Sequence, residues 1–144
     1  MPHAGQEIEG WGGMRLRFVR TAAETDGELL EMEAAYAGGA EPPPAHLHPL
    51  QAERFEVLEG AFRAVVDGVE RRCEAGDAFE VPAGTPHQMA AEVPSRLRWE
   101  VRPALRTAEF IEGLYGTGPG SLQAASSPAE FFGRFADEFR LVGS

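Results

Sequence analysis

The stretch that decides the fold is Pro44 to Gly60, "PAHLHPLQAERFEVLEG". It holds two of the four histidines in a chain of 144 residues, one residue apart, with Glu53 shortly after them. On a strand, residues i and i+2 share a face, so His46 and His48 point to the same side. A chain this sparing with histidine that aims two of them at one place has the geometry of a ligand pair. A third, His87, follows a Pro-x-Gly turn in "GDAFEVPAGTPHQMA", Gly76 to Ala90.

The sequence around these segments has a period of two. "MRLRFVR" alternates Met14, Leu16 and Phe18 with arginines, and "ELLEMEAAYAG" alternates Leu30, Met32, Ala34 and Tyr36 with acidic or small residues; both read as half-buried strands. "RLRWEVR" repeats the pattern with Leu97, Trp99 and Val101 inward. Asp67-Gly68 sits between two such runs, a hairpin signal, because a type I′ turn needs positive φ at both central residues. Short strands punctuated by turns predict an all-β, antiparallel sandwich or barrel. Beyond Pro103 the pattern changes. "TAEFIEGLYG" predicts a short helix ending at Gly116. "SPAEFFGRFADEF" predicts another, with Ser127 as N-cap, Pro128 at the first position, Glu130 completing a capping box and Phe131, Phe135 and Phe139 on one face. The expected organisation is a strand domain over residues 1–105 and a helical extension over 106–144 packed on its outside.

Composition narrows the function. Thirteen basic residues against 23 acidic ones give a net charge of −10, which repels phosphate backbones and anionic lipid, so neither nucleic acid nor membrane is an expected partner. All the basic residues are arginine, which excludes a lysine Schiff base, lysine-anchored pyridoxal phosphate and a Walker A loop. The single cysteine, Cys73, has no partner for a disulfide or a zinc thiolate site and reads as a strand residue. The polar start "MPHAGQEIEG" and the absence of an apolar run near the ~20 residues of a membrane span lead to an expected cytoplasmic location.

Together the two histidine segments resemble the paired motifs of the cupin superfamily. The first is His46-x-His48, four residues, Glu53, six residues, Gly60; the second is Gly76, five residues, Pro82-x-Gly84, two residues, His87, with 15 residues between the motifs. The resemblance implies a small jelly-roll β-barrel, with one or two C-terminal helices, in which His46, His48, Glu53 and His87 converge on one metal. It also implies pairing of barrels into a homodimer, an expectation to which Met14, Leu16 and Phe18 add a possible apolar sheet edge. Two positions depart from the family pattern. Six residues separate Gly39 from His46 where five usually separate glycine from the first histidine, and Ala91 replaces an asparagine; both bear on turn geometry, since neither is a ligand position.

Neutral imidazoles and a carboxylate suit divalent iron, manganese, nickel, copper or zinc. An octahedral ion with four protein ligands leaves two positions for water, a chelating substrate, or substrate and dioxygen. Family members differ in whether the carboxylate at Glu53 binds metal or acts as a catalytic base, so both roles stay open. By strand parity, Phe55, Val57 and Met89 face inward, joined by Phe18, Tyr36, Phe62 and Trp99 on neighbouring strands. That apolar, aromatic lining, with no arginine clearly inward, points to a small aromatic or enol-containing substrate and away from phosphosugars. The first expectation is a dioxygenase of the flavonol-dioxygenase kind. The alternatives are a redox-neutral cyclase, isomerase or lyase using the metal as Lewis acid, and a non-catalytic ligand-binding cupin.

Overall fold

The structure, a computed structural model, describes residues 1–142; the last two residues of the expected 106–144 extension lie outside the described residues. The strands are β1 (Glu7–Glu9), β2 (Arg15–Arg20), β3 (Leu30–Tyr36), β4 (His46–Leu47), β5 (Ala52–Glu59), β6 (Ala61–Val66), β7 (Val69–Glu74), β8 (Ala78–Val81), β9 (His87–Ala91), β10 (Ser95–Arg102) and β11 (Arg140–Leu141). Three helices complete it, α1 (Ala22–Thr25), α2 (Thr107–Tyr115) and α3 (Pro128–Arg134). A six-stranded sheet runs β1-β2-β3-β10-β5-β8 and a five-stranded sheet runs β11-β4-β9-β6-β7. The expected all-β jelly roll is present as two antiparallel sheets facing each other, and among the described residues no ladder joins the edge strands of one sheet to those of the other.

The alternation read from the sequence governs the packing. Leu16, Phe18, Leu30, Met32, Leu97 and Val101 are buried in the core while the arginines and glutamates between them face outward. Those outward charges pair across strands, as Arg17 with Glu33 at 2.8 Å and Arg20 with Glu31 at 2.7 Å. The Asp67-Gly68 turn has φ of 51° and 79°, and Val66 faces Val69 across it, as a type I′ hairpin requires. At Gly60, φ is +81° and a Cβ would lie 2.2 Å from Ser95 Oγ and 2.6 Å from the Pro94 carbonyl oxygen, so only glycine fits the corner between β5 and β6. The two positions that depart from the family pattern meet directly: the Gly39 N–H donates to the Ala91 carbonyl at 3.0 Å.

Three expectations need correction. Met14, Leu16 and Phe18 are not at a sheet edge: β2 lies between β1 and β3, and all three side chains are buried within the single chain, so the apolar edge offered for a dimer is already covered. The second C-terminal helix stops at Arg134, with Phe135 as its C-cap, so Phe139 does not share a helix face with Phe131. Its Ser127 hydroxyl does accept from the Glu130 N–H, but the Glu130 carboxylate pairs with Arg134 at 2.9 Å and leaves the capping box half made. A complete capping box occurs instead at Thr21 and Glu24, opening α1.

Candidate metal centre

Two elements of the five-stranded sheet carry the histidines. His46 on β4 is the register partner of His87 on β9, and His48 follows β4 by one residue, so strand pairing brings all three rings together. One ring nitrogen from each of them lies within 4.8 Å of the other two, a spacing that one metal ion can bridge. Glu53 arrives from β5 in the opposite sheet. Its Oε1 lies 3.0 Å from His48 Nε2 and 2.9 Å from His87 Nε2. His48, His87 and Glu53 are 7%, 5% and 2% exposed, so the group is closed off from bulk water.

The hydrogen bonds behind the rings fix which nitrogen faces the centre. His46 Nδ1 meets the Pro44 carbonyl at 3.1 Å, His48 Nδ1 the Glu138 carbonyl at 2.7 Å, and His87 Nδ1 the Thr85 carbonyl at 2.9 Å. A carbonyl oxygen only accepts, so each Nδ1 carries a proton and each Nε2 presents its lone pair. Metal-binding histidines are held in the same way by outer partners. The Trp99 Nε1–H donates to Glu53 Oε2 at 2.6 Å, which holds that oxygen and leaves Oε1 facing the imidazoles. Despite their 3.0 Å separation, His48 Nε2 and Glu53 Oε1 are buried with no hydrogen-bond partner of acceptable geometry. A cation held by both would satisfy these two buried lone-pair donors, and a donor set of imidazole nitrogen and carboxylate oxygen fits a divalent transition ion.

Electrostatics agree with the geometry. Burial, with the neighbouring His87 and His48, pushes His46 down to about 4, so its ring is neutral near pH 7. Burial also acts against a charged His48, but the Glu53 carboxylate more than offsets it, and the net shift is upward. Burial acts against a charged Glu53 too, yet His48 and His87 hold its carboxyl far below the usual carboxylate range.

Residues 32–101 match the cupin domain family. KdgF from Halomonas sp. superposes with a TM-score of 0.61 at 25% identity, covering 68% of this chain and 86% of that one. An RmlC-like cupin from Shewanella frigidimarina NCIMB 400 superposes with a TM-score of 0.61 at 26% identity, covering 74% of this chain and 96% of that one. Residues 32–101 form a cupin domain. Among curated proteins, this cupin is 31% identical to quercetin 2,3-dioxygenase of Bacillus subtilis (strain 168) over 75 residues, which is 52% of this chain and 22% of that protein. It thus spans about a fifth of that relative's length.

The residues expected to line a substrate pocket divide into two groups. Phe18, Phe55, Val57 and Phe62 are buried in the cupin core, where Phe55 stacks on Phe79 at 5.1 Å, so the structure gives them a packing role. Tyr36, Met89 and Trp99 are partly buried against that core. Trp99 serves Glu53 directly, and the Tyr36 hydroxyl is pushed up by burial and then by the fields of Tyr115 and Glu53. Among the described residues, Arg98 pairs with Glu56 and Glu31 on the outer face.

What the sequence reading missed lies in the extension. The Glu138 carbonyl supports His48, the Phe139 ring stacks on His46 with centroids 4.9 Å apart, and β11 pairs with β4, Leu141 opposite His46. The extension is part of the centre's wall. No periodicity announces a two-residue strand, although a lone Phe139 beyond a broken helix pattern was a usable signal. No helix among the described residues is long and apolar enough to cross a membrane.

Proposed function

We propose that this cupin is an enzyme that holds one divalent transition metal through His46, His48, His87 and Glu53 and acts on a small aromatic or enol-containing molecule, most simply as a dioxygenase. The observation that carries the reading is the set of three Nδ1 atoms on backbone carbonyls with Nε2 lone pairs and Glu53 Oε1 turned to one point. The likeness to quercetin 2,3-dioxygenase over 75 residues of the chain supports the choice of reaction.

When bound, the ion supplies Lewis acidity, open coordination positions and, if redox-active, electrons for reaction with dioxygen. The chain's residues do the rest. The backbone carbonyls of Pro44, Thr85 and Glu138 hold the imidazoles in one tautomer and orientation. Trp99 keeps one oxygen of Glu53 occupied, so Oε1 is the atom that can ligate, or accept the proton of a substrate hydroxyl. The buried surroundings keep bulk water from that proton.

The test is oxygen uptake by metal-loaded protein supplied with flavonols and catechols, repeated on Glu53→Gln with metal occupancy measured on the same preparation. Oxygen consumed in step with substrate is the expected result. In Glu53→Gln the base role predicts retained metal and a turnover lower by roughly 10²–10⁴-fold. Substrate loss without oxygen uptake would replace the dioxygenase by a redox-neutral reaction, and no consumption across the substrate class would make the chain a binding protein.

A further inference from the structure

The Phe139 ring has an unusual position for a residue at the end of an extension. It lies nearly parallel to the His46 imidazole, at 4.9 Å and 25°, and nearly parallel to Phe110, at 4.9 Å and 24°; Phe132 is a third near-parallel neighbour at 5.6 Å and 26°. Aromatic faces are thus offered to whatever flat group occupies this place, and one of them belongs to a candidate metal ligand. The ring is only partly buried, whereas Phe131 beside it is fully buried.

Few contacts keep it there. After α3 the chain returns to the centre through the two-residue strand β11 and one further backbone bond, from the Val142 N–H to the Ala45 carbonyl at 3.1 Å. Two further fastenings are the His48 Nδ1–H, which donates to the Glu138 carbonyl at 2.7 Å, and Arg106. Its guanidinium lies 4.9 Å from the Phe135 ring and 3.6 Å from Glu138 Oε1, it donates to the Arg134 carbonyl at 2.5 Å, and its backbone N–H reaches Glu138 Oε2 at 3.4 Å. Glu138 is buried, yet its Oε1 has no hydrogen-bond partner, and Arg106 is half exposed. A segment tied to the rest by one two-residue ladder, a few single hydrogen bonds and one long ion pair belongs to the part of a protein that opens locally before the rest unfolds.

We propose that the slot filled by the Phe139 ring is a binding subsite for a planar aromatic ring, and that Phe139 is an internal stand-in which such a ligand displaces. This rests on the reading of the three histidines as a metal site, and it names Phe139 as the residue that sets ligand class. A flat ring carrying oxygen donors would exchange places with Phe139, inherit its stacking on His46 and Phe110, and reach the open metal positions. A non-aromatic chelator would reach the metal but leave the slot unused.

Cobalt-loaded protein is titrated with catechol and with acetohydroxamate, two bidentate oxygen chelators of which only the first has a ring, and binding is followed by the visible absorption of cobalt. Phe139→Ala removes the competitor, so catechol affinity should rise by about tenfold, a change on the scale of one or two ring contacts. Acetohydroxamate affinity should change by less than about threefold, well under that scale. Arg106→Gln, at a half-exposed position that leaves the core intact, should shift the catechol-to-acetohydroxamate ratio in the same direction by a smaller factor, and it carries the test if Phe139→Ala does not fold. An equal rise for both chelators would make Phe139 a mere steric cover and overturn the subsite, as would no change in either. If cobalt does not bind to the wild-type protein, the metal reading falls and this inference with it; if cobalt binds and the ratio stays flat, only this inference falls.

Discussion

Two aromatic assemblies flank the histidines, and they are built in different ways. Between the sheets, Phe55 stacks on Phe79 and Trp99 from three adjacent strands, each ring placed by the alternation of its own strand and by cross-strand register. In the extension, Phe110, Phe131, Phe132, Phe135 and Phe139 meet through two short helices and an irregular return. The first assembly is locked by two ladders and serves as core. The second ends in a ring that leans on His46 and is held by a two-residue strand, single hydrogen bonds and the Arg106–Glu138 pair. Stability belongs to the first and access to the second.

That division can be broken by substitution. The largest loss should follow Phe62→Ala, which removes a fully buried ring in β6 and should cost about 3–5 kcal/mol in denaturant unfolding; a loss under about 1 kcal/mol would mean the sheets repack freely. Gln51→Leu comes next. The Gln51 amide donates to the Pro103 and Ala104 carbonyls and to Thr107 Oγ1 at 2.8, 3.0 and 2.8 Å, tying the histidine segment to the start of α2, and stranding those buried acceptors should cost about 1–3 kcal/mol. Phe139→Ala should cost only about 1–2 kcal/mol, because the ring is partly buried. A loss as large as that of Phe62→Ala would erase the distinction between the two assemblies.

A smaller effect is expected from pH on the metal-free protein. His48, raised above the usual imidazole value of 6.5, contributes stability that is full below 6.5 and is lost as the pH climbs through its folded value. His46, lowered to about 4, acts in the opposite sense: its folded ring resists the proton that the unfolded chain takes up, so stability falls as the pH drops from 6.5 towards 4. Glu53, held far below the usual 4.5, contributes stability that is full above 4.5 and is lost progressively as the pH falls below it. Stability of metal-free protein should therefore peak near 6.5, and His48→Gln should flatten the alkaline side; a profile unchanged by that substitution would remove the His48–Glu53 pair from the account. Smallest of all, Arg20→Gln, breaking an outer pair with Glu31 that is half exposed on the arginine side, should cost at most about 0.5 kcal/mol.

The same contrast explains what could be read in advance. Strand alternation exposed the inward faces of β2, β3 and β10, the Asp67-Gly68 turn and the meeting of His46, His48 and His87, because each follows from local spacing. Glu56 falls outward by the same parity and pairs there with Arg98. Thr21-x-x-Glu24 carried a capping box in plain view and was overlooked. The support of His48 by the Glu138 carbonyl was not legible at all, since it joins positions 90 residues apart through a backbone atom that has no sequence identity. Nor was the early end of α3, where Gly133 and the return to β4 outweigh a helical pattern of phenylalanines. Trp99 was correctly turned inward by parity, but its hydrogen bond to Glu53 depends on register between β5 and β10 that only the folded sheet supplies.

The central claim is that three imidazoles and a carboxylate are held ready for one ion. The most direct test is a metal titration of tag-free wild-type protein beside His46→Ala, His48→Ala and His87→Ala. Wild-type protein should take up close to one divalent transition ion per chain, and each substitution should weaken binding by more than roughly 100-fold, the upper end for loss of a mere outer partner. A wild-type chain that stays empty on reconstitution, or three variants that bind as tightly as it does, would contradict the account.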